Sequence, residues 1–305
     1  MKEKILCRVI TGPTASGKSG YALRLAQEQK YEILCMDSMQ IYRGMNIGTA
    51  KPTSEEQRLV PHHLLDIADP RDTYSVAAWR DTAVPMIRQM ASEGKQVLFV
   101  GGTGLYLDSL IHPMAMGSVP ADEELRRELR IRGETLQGRN ELHEMLRKLD
   151  PETAERLPVN DLRRVIRAIE VSQITGIPFS KQPHDEQESE FDWRVVALMP
   201  EREILYHRIE DRVDQMIADG LADEVRSLLD SGVPENAQSM SGLGYKEMIP
   251  YLRGMTDLAT AIREIKLGTR HYAKRQTTYM KRFEKAVYVD PMRKDAYERI
   301  MEVLL

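Results

Sequence analysis

Between Gly12 and Ser19 the sequence reads GPTASGKS: a glycine, four residues, a second glycine, a lysine and a serine. Glycines at 12 and 17 let the backbone curl, so that successive N–H groups point inward at phosphate oxygens. Lys18 adds a point charge, and Ser19 supplies a hydroxyl for Mg²⁺. Pro13, Thr14, Ala15 and Ser16 complete the loop, and the helical pattern that follows adds its positive end. An apolar strand-like run leads in, which is the context that separates a phosphate loop from a chance turn. The motif calls for a diphosphate with a metal ion and is silent on what carries the diphosphate.

Asp37 closes the apolar run YEILCMD. In a P-loop ATPase or nucleotide kinase, an acid after a second apolar strand holds the metal from the far side. Asp37 therefore keeps that reading open, although a turn or cap role is equally within the reach of an aspartate at a loop position. The strand candidate QVLFV ends instead in Gly101–Gly102–Thr103–Gly104, with no acid. Thr103 sits in a tight turn on the ligand side of an open sheet. The run after Asp37, SMQIYRGMNIGTAKP, is too specific for a spacer; Tyr42, Gly44, Gly48 and Pro52 read as a shaped wall. Arg208 and Arg212 lie four apart in LYHRIEDRVDQM, so one helix face presents both. For Arg208 the expected role is a surface salt bridge to a neighbour such as Glu210.

These groups need elements to hold them. KILCRVIT, YEILCMD, QVLFVGG, WRVVALM and AVYVD are strand candidates separated mostly by long helical patterns, such as Val76 to Glu93. Continuous apolar strands alternating with helices predict a parallel α/β sheet covered on both faces, with the phosphate loop after its first strand. From Pro120 to Phe191 the pattern changes to helical runs alone, ending in the polar stretch SKQPHDEQESE, read as an exposed, mobile loop. The expected organisation is a P-loop core of residues 1–119 and 192–305 with an all-helical insertion at 120–191. Asp257 to Phe283 reads as one long helix.

In 305 residues, 42% are apolar, 30% are charged and the formal net charge is −4, as in an ordinary globular chain. A polyanionic partner would have to meet a local patch. REIKLGTRHYAKRQTTYMKRFEK offers one: Lys266, Arg270 and Lys274 recur every four residues, with Lys281 further on. Such a face suits a phosphate backbone, and Tyr272 and Tyr279 could stack on bases. Arg163, Arg164 and Arg167, with Arg126 and Arg127, would form an opposing basic jaw. Cys7 and Cys35 lie inside apolar runs, where buried thiols and a reducing cytoplasm are expected. No secretory leader or membrane-length apolar run is read.

GPTASGKS, DSMQIYRGMNIGTAKP, GGTGLYLDSL, DLRRVIRAIE and KRQTTYMKRF occur in the order seen in tRNA dimethylallyltransferases, the bacterial tRNA isopentenyltransferases. The chain resembles that family over nearly its whole length. The resemblance implies that the loop holds dimethylallyl diphosphate with Mg²⁺ on Ser19. The acceptor would be the exocyclic N6 amine of the adenosine 3′ of the anticodon in a tRNA stem-loop, with no membrane and no obligatory protein partner. It implies Asp37 as the general base, Thr103 as a donor near the reacting atoms and Arg212 on the diphosphate. For tRNA contact it implies Asp37, Ser38, Met39, Gln40, Thr103 and Arg126. It extends these to Asp161, Leu162, Arg163, Arg164 and Val165, to Met240, Ser241, Gly242, Leu243, Gly244 and Tyr245, and to Lys274, Arg275, Gln276 and Lys281. Three alternatives compete: a P-loop kinase or ATPase, an isopentenyltransferase for free adenine nucleotides, and a non-catalytic RNA-binding module. The second leaves the insertion and the basic helix without a use, and the third leaves GPTASGKS without one.

Overall fold

A computed structural model describes residues 4–112, 119–182 and 190–305. Its strands are β1 (Ile5–Thr11), β2 (Glu32–Cys35), β3 (His62–His63), β4 (Val97–Gly101), β5 (Phe191–Leu198) and β6 (Val287–Val289). All pair in parallel, in the order β3-β2-β4-β1-β5-β6. Successive side chains point to opposite faces. Cys7, Val9, Leu34 and Phe99 therefore enter one core, and Ile10, Ile33, Leu98 and Val100 the other. Burial on both faces is why these strands read as unbroken apolar runs.

The helices before the insertion are α1 (Lys18–Gln29), α2 (Ser54–Leu59), α3 (Val76–Ser92) and α4 (Gly104–Ile111). The insertion contributes α5 (Glu123–Arg132), α6 (Leu136–Leu149), α7 (Pro151–Arg156) and α8 (Leu162–Thr175). After it come α9 (Arg202–Ala218), α10 (Leu221–Asp230), α11 (Tyr245–Leu252), α12 (Leu258–Met280) and α13 (Ala296–Leu304). Helices α1 and α13 cover one face of the sheet through Ala22, Leu25, Ile300 and Leu304. Trp79, Tyr106, Val213, Tyr245 and Ile265 cover the other, with Trp79 and Tyr106 stacked at 4.3 Å. The long α12 opens at Asp257, whose carboxylate accepts from the Thr260 N–H at 2.6 Å, as the run without proline predicts, and ends at Met280, short of the expected Phe283.

Contacts divide the chain into two compact units, residues 1–111 with 189–305 and residues 112–188. The second unit has its own core of Leu129, Leu142, Leu146, Val165, Ile166 and Ile169. Buried Asp150 caps α7 there, accepting from Thr153 and from both the N–H and the hydroxyl of Ser180. Two details differ from the sequence reading. Strand β3 went unseen because two residues carry no period. Strand β5 starts at Phe191, because Phe191 pairs with Ile5 and its ring meets Trp193 edge-on. The stretch read as a mobile polar loop falls mainly on residues 183–189, outside the described residues.

Candidate diphosphate and acceptor site

The loop after β1 has the backbone its glycines allow. Gly12 has φ +153°, and a Cβ there would stand 2.8 Å from the Leu198 carbonyl oxygen, so no side chain fits. Ala15 holds a left-handed φ of 62° without being glycine, which costs energy that the surrounding loop must offset. Ser16 donates its N–H to the Pro13 carbonyl, while its hydroxyl is fully buried with no hydrogen-bond partner among the described residues. Gly17 caps α1 in the left-handed region. Lys18 reaches back to the Pro13 carbonyl at 3.3 Å. Desolvation, then the positive charge of Arg212, pulls the Lys18 ammonium down to about 8, against an opposing pull from Asp37. Arg212 is itself lowered by burial and supported by Asp37. Two cations and one carboxylate thus meet at the loop, a local positive excess suited to a polyanion.

The carboxyl ends of β2 and β4 bring the next residues alongside, where ligands of open parallel sheets bind. Gly101 is essential to this approach: a Cβ would lie 1.9 Å from the Met36 carbonyl oxygen. Asp37 Oδ1 accepts from the Met39 N–H at 2.9 Å, so the turn role read for this residue is real, and that bond engages one of its two carboxylate oxygens. Thr103 Oγ1 accepts from the Ser38 N–H at 3.0 Å and lies 3.4 Å from the Ser38 hydroxyl. Gln40 donates to the carbonyls of Thr49 and Ala50 and accepts from the Cys35 thiol. Met39 packs on Gly242, which joins the DSMQ and MSGLGY segments in space, and Leu243 packs on Gly268 of α12.

Several predicted RNA contacts are enclosed. Met240 and Tyr245 are fully buried, as is Val165 in the helical unit, and Gln276 is nearly so. The side chains of these four meet protein, so any share in RNA contact runs through backbone or through what they hold. Ser241, Lys274, Arg275 and Lys281 are exposed, as are Arg163 and Arg164 of the helical unit; Leu243, Asp161 and Leu162 are half-buried. The predicted basic stripe on α12 is partly neutralised: Lys266 pairs with Asp214 at 2.7 Å, and Arg270 pairs with Glu210. Tyr272 is not a free stacking ring. It is half-buried, with the Arg275 guanidinium 5.7 Å from its ring centroid, and burial together with the Asp37 charge raises its pKa. Tyr279 donates to Asp108 at 2.7 Å. In the helical unit, Arg126 and Arg167 both bind buried Glu170, so neither is a free jaw residue, while Arg164 pairs with Asp161 at the surface.

Sequence reasoning missed Glu224 and gave Gln276 an RNA contact in place of the organising role it holds. Glu224 of α10 accepts from the N–H groups of Asn46, Ile47 and Gly48 and from the Tyr245 hydroxyl at 2.6 Å. Gln276 takes the Thr14 N–H and gives to the Gly102 carbonyl. Neither left a local signal, because each partner is remote in the chain.

The profile of the family described as IPP transferase matches residues 40–283, and that described as isopentenyl transferase matches residues 5–67. The chain is 43% identical to a tRNA dimethylallyltransferase of Halalkalibacterium halodurans, over 99% of this chain and 96% of that one. It is 46% identical to a tRNA dimethylallyltransferase of Pelotomaculum thermopropionicum, covering 93% and 89%. Among solved structures, it resembles the tRNA isopentenylpyrophosphate transferase of Bacillus halodurans with a TM-score of 0.70 and 41% identity, covering 99% and 95%. A eukaryotic dimethylallyltransferase acting on tRNA aligns with a TM-score of 0.79 and 27% identity, over 97% of this chain and 77% of that one.

Proposed function

The chain belongs to the IPP transferase family, and from that premise we propose that it moves a dimethylallyl group from dimethylallyl diphosphate to tRNA. The acceptor is the exocyclic N6 amine of the adenosine 3′ of the anticodon. One observation carries the reading most directly: the phosphate loop, Asp37 and Thr103 converge, with Thr103 Oγ1 held on the Ser38 N–H next to Asp37 and Gln276 tying the loop to the Gly102 turn. The loop amides, Lys18 and Arg212 bind the diphosphate and stabilise the charge that grows on it as the C–O bond breaks. The amine is a weak nucleophile because its lone pair is shared with the ring. Asp37 takes its proton as the N–C bond forms, and the base must leave its stack to arrive there.

Mg²⁺ fits the donor set in one way. Among the described residues no group of three or more His, Cys, Asp or Glu side chains could hold a metal. The Ser19 hydroxyl, exposed at the start of α1, would be the protein's ligand, with the donor's phosphate oxygens completing the set. A bound ion would add Lewis-acid stabilisation of the leaving group.

RNA contact falls to Lys274, Arg275 and Lys281 on the core, with the 38–40 and 241–243 segments. In the helical unit it falls to Arg163, exposed and without an ion pair among the described residues, and to Arg164. Arg164 is 72% exposed, so its pair with Asp161 yields to a phosphate more readily than that of Lys266, which is 25% exposed. No helix among the described residues is long and apolar enough to cross a membrane, and the reading places the protein with tRNA in the cytoplasm. Radiolabelled dimethylallyl diphosphate incubated with the protein and total tRNA should label the tRNA fraction. ATP turnover without RNA, and no label transfer, would replace this reading with the kinase.

A further inference from the structure

A surface ion pair with a neighbour such as Glu210 is the expectation for Arg208, but residues two apart on a helix do not face each other, and Glu210 pairs with Arg270 of α12. Arg208 has no ion pair among the described residues. Its hydrogen-bond partner is the Met292 sulfur at 3.7 Å, a weak acceptor. The guanidinium instead lies against the phosphate loop. Its two terminal nitrogens come within 3.5 and 3.6 Å of where a Cβ on Gly17 would stand. Gly17 precedes Lys18 and caps the helix whose first amides face the loop.

That placement makes a third cation at one loop. Lys18 and Arg212 both feel the charge of Asp37, and their mutual repulsion is part of what depresses Lys18. Like charges crowded beside a phosphate loop repel until a multivalent anion enters. A guanidinium suits that anion because its planar fork can grip two phosphate oxygens at once. A structural role alone would be met by a neutral side chain packing on Gly17 and Met292.

We propose that Arg208 is a second diphosphate-binding guanidinium, which joins Lys18 and Arg212 on the donor's diphosphate and holds that group as it departs. The proposal rests on the reading of residues 12–19 as a diphosphate loop, and it adds a contact by which a diphosphate would be preferred to a single phosphate.

The test is calorimetric titration of the full chain with inorganic diphosphate and Mg²⁺, for wild type, Arg208→Gln, Arg208→Lys and Met292→Leu. Arg208→Gln should weaken diphosphate binding by about ten- to a hundredfold, the weight of a charge-assisted contact. Arg208→Lys should fall between, since it keeps the charge and loses the fork. Met292→Leu should bind as wild type does, and tRNA affinity should be unchanged in all three. Wild-type affinity in both Arg208 variants would overturn the proposal and return the residue to packing on Gly17. Failure of the wild type itself to bind diphosphate would overturn the loop reading, and Arg208 with it.

Discussion

Gln276 accepts the Thr14 N–H at 2.8 Å, so a residue near the end of α12 fixes the rim of the phosphate loop. The same side chain donates to the Gly102 carbonyl at 2.9 Å, one residue before Thr103. One amide therefore sets the distance between the phosphate loop and the turn that carries Thr103. Glutamine suits this place because it offers an acceptor and a donor on one rigid plane.

Replacing Gln276 with Leu leaves a half-buried amide and a buried carbonyl unpaired. Each such orphan costs about 1–3 kcal/mol. Urea denaturation should show that loss, and kcat should fall by more than KM for dimethylallyl diphosphate changes, because the loop survives while its spacing from Thr103 does not. A stability loss with unchanged kcat would show that the bridge is structural only.

Asp37→Asn keeps the turn acceptor for Met39 but cannot take up the amine proton. The rate should drop by about 10²–10⁴, with tRNA affinity nearly intact in a filter-binding assay. Near-normal turnover would confine Asp37 to its turn role.

Lys18 carries a pH dependence. Its folded pKa lies near 8, below the ordinary lysine value of 10.5, so the free protein loses this charge as pH rises through about 8. A bound diphosphate favours the ammonium, and binding above pH 8 must take up a proton. Affinity for dimethylallyl diphosphate should therefore weaken from pH 8 to 9.5 by at most about tenfold per pH unit, the limit for one proton. The effect should vanish in Lys18→Met. The stability sign is opposite. Between pH 8 and 10.5 the unfolded chain holds a proton that the fold has released, so this group's contribution to stability rises with pH across that window.

Neutralising Lys274 and Lys281 together should weaken tRNA binding and flatten its salt dependence. Each phosphate contact contributes about 0.7–0.9 to the slope of log affinity against log salt. Lys266→Ala should change the slope far less, since Asp214 already holds that ammonium. Parallel slopes for wild type and the double variant would remove these lysines from the RNA surface.

Glu224→Ala deprives three loop amides and the Tyr245 hydroxyl of their acceptor. Stability should fall by about 2–4 kcal/mol, read by thermal unfolding, and the 46–50 segment should exchange its amide hydrogens faster. Glu224→Gln should recover part of both.

The phosphate loop, the strands that deliver it and the positions of Asp37 and Thr103 could all be read along the chain. Loop curvature and strand burial are written in near neighbours, as glycine spacing and apolar runs. The long α12 was equally legible, because periodicity and the absence of proline are local. What its cations do was not. Lys266, Arg270 and Lys274 look alike at four-residue spacing, and only the packing of α9 against α12 decides that Asp214 and Glu210 take the first two. Arg208 lost its expected partner to that same packing and came to lie on Gly17. Gln276 and Glu224 gained their roles from chain segments 262 and about 178 residues away. Such pairings depend on where the sheet order sets each helix, which no local pattern encodes. The chain therefore specifies which chemical groups it carries, and tertiary packing decides which of them remain free to meet a ligand, because a charge or amide already satisfied by a neighbour has little left to offer one.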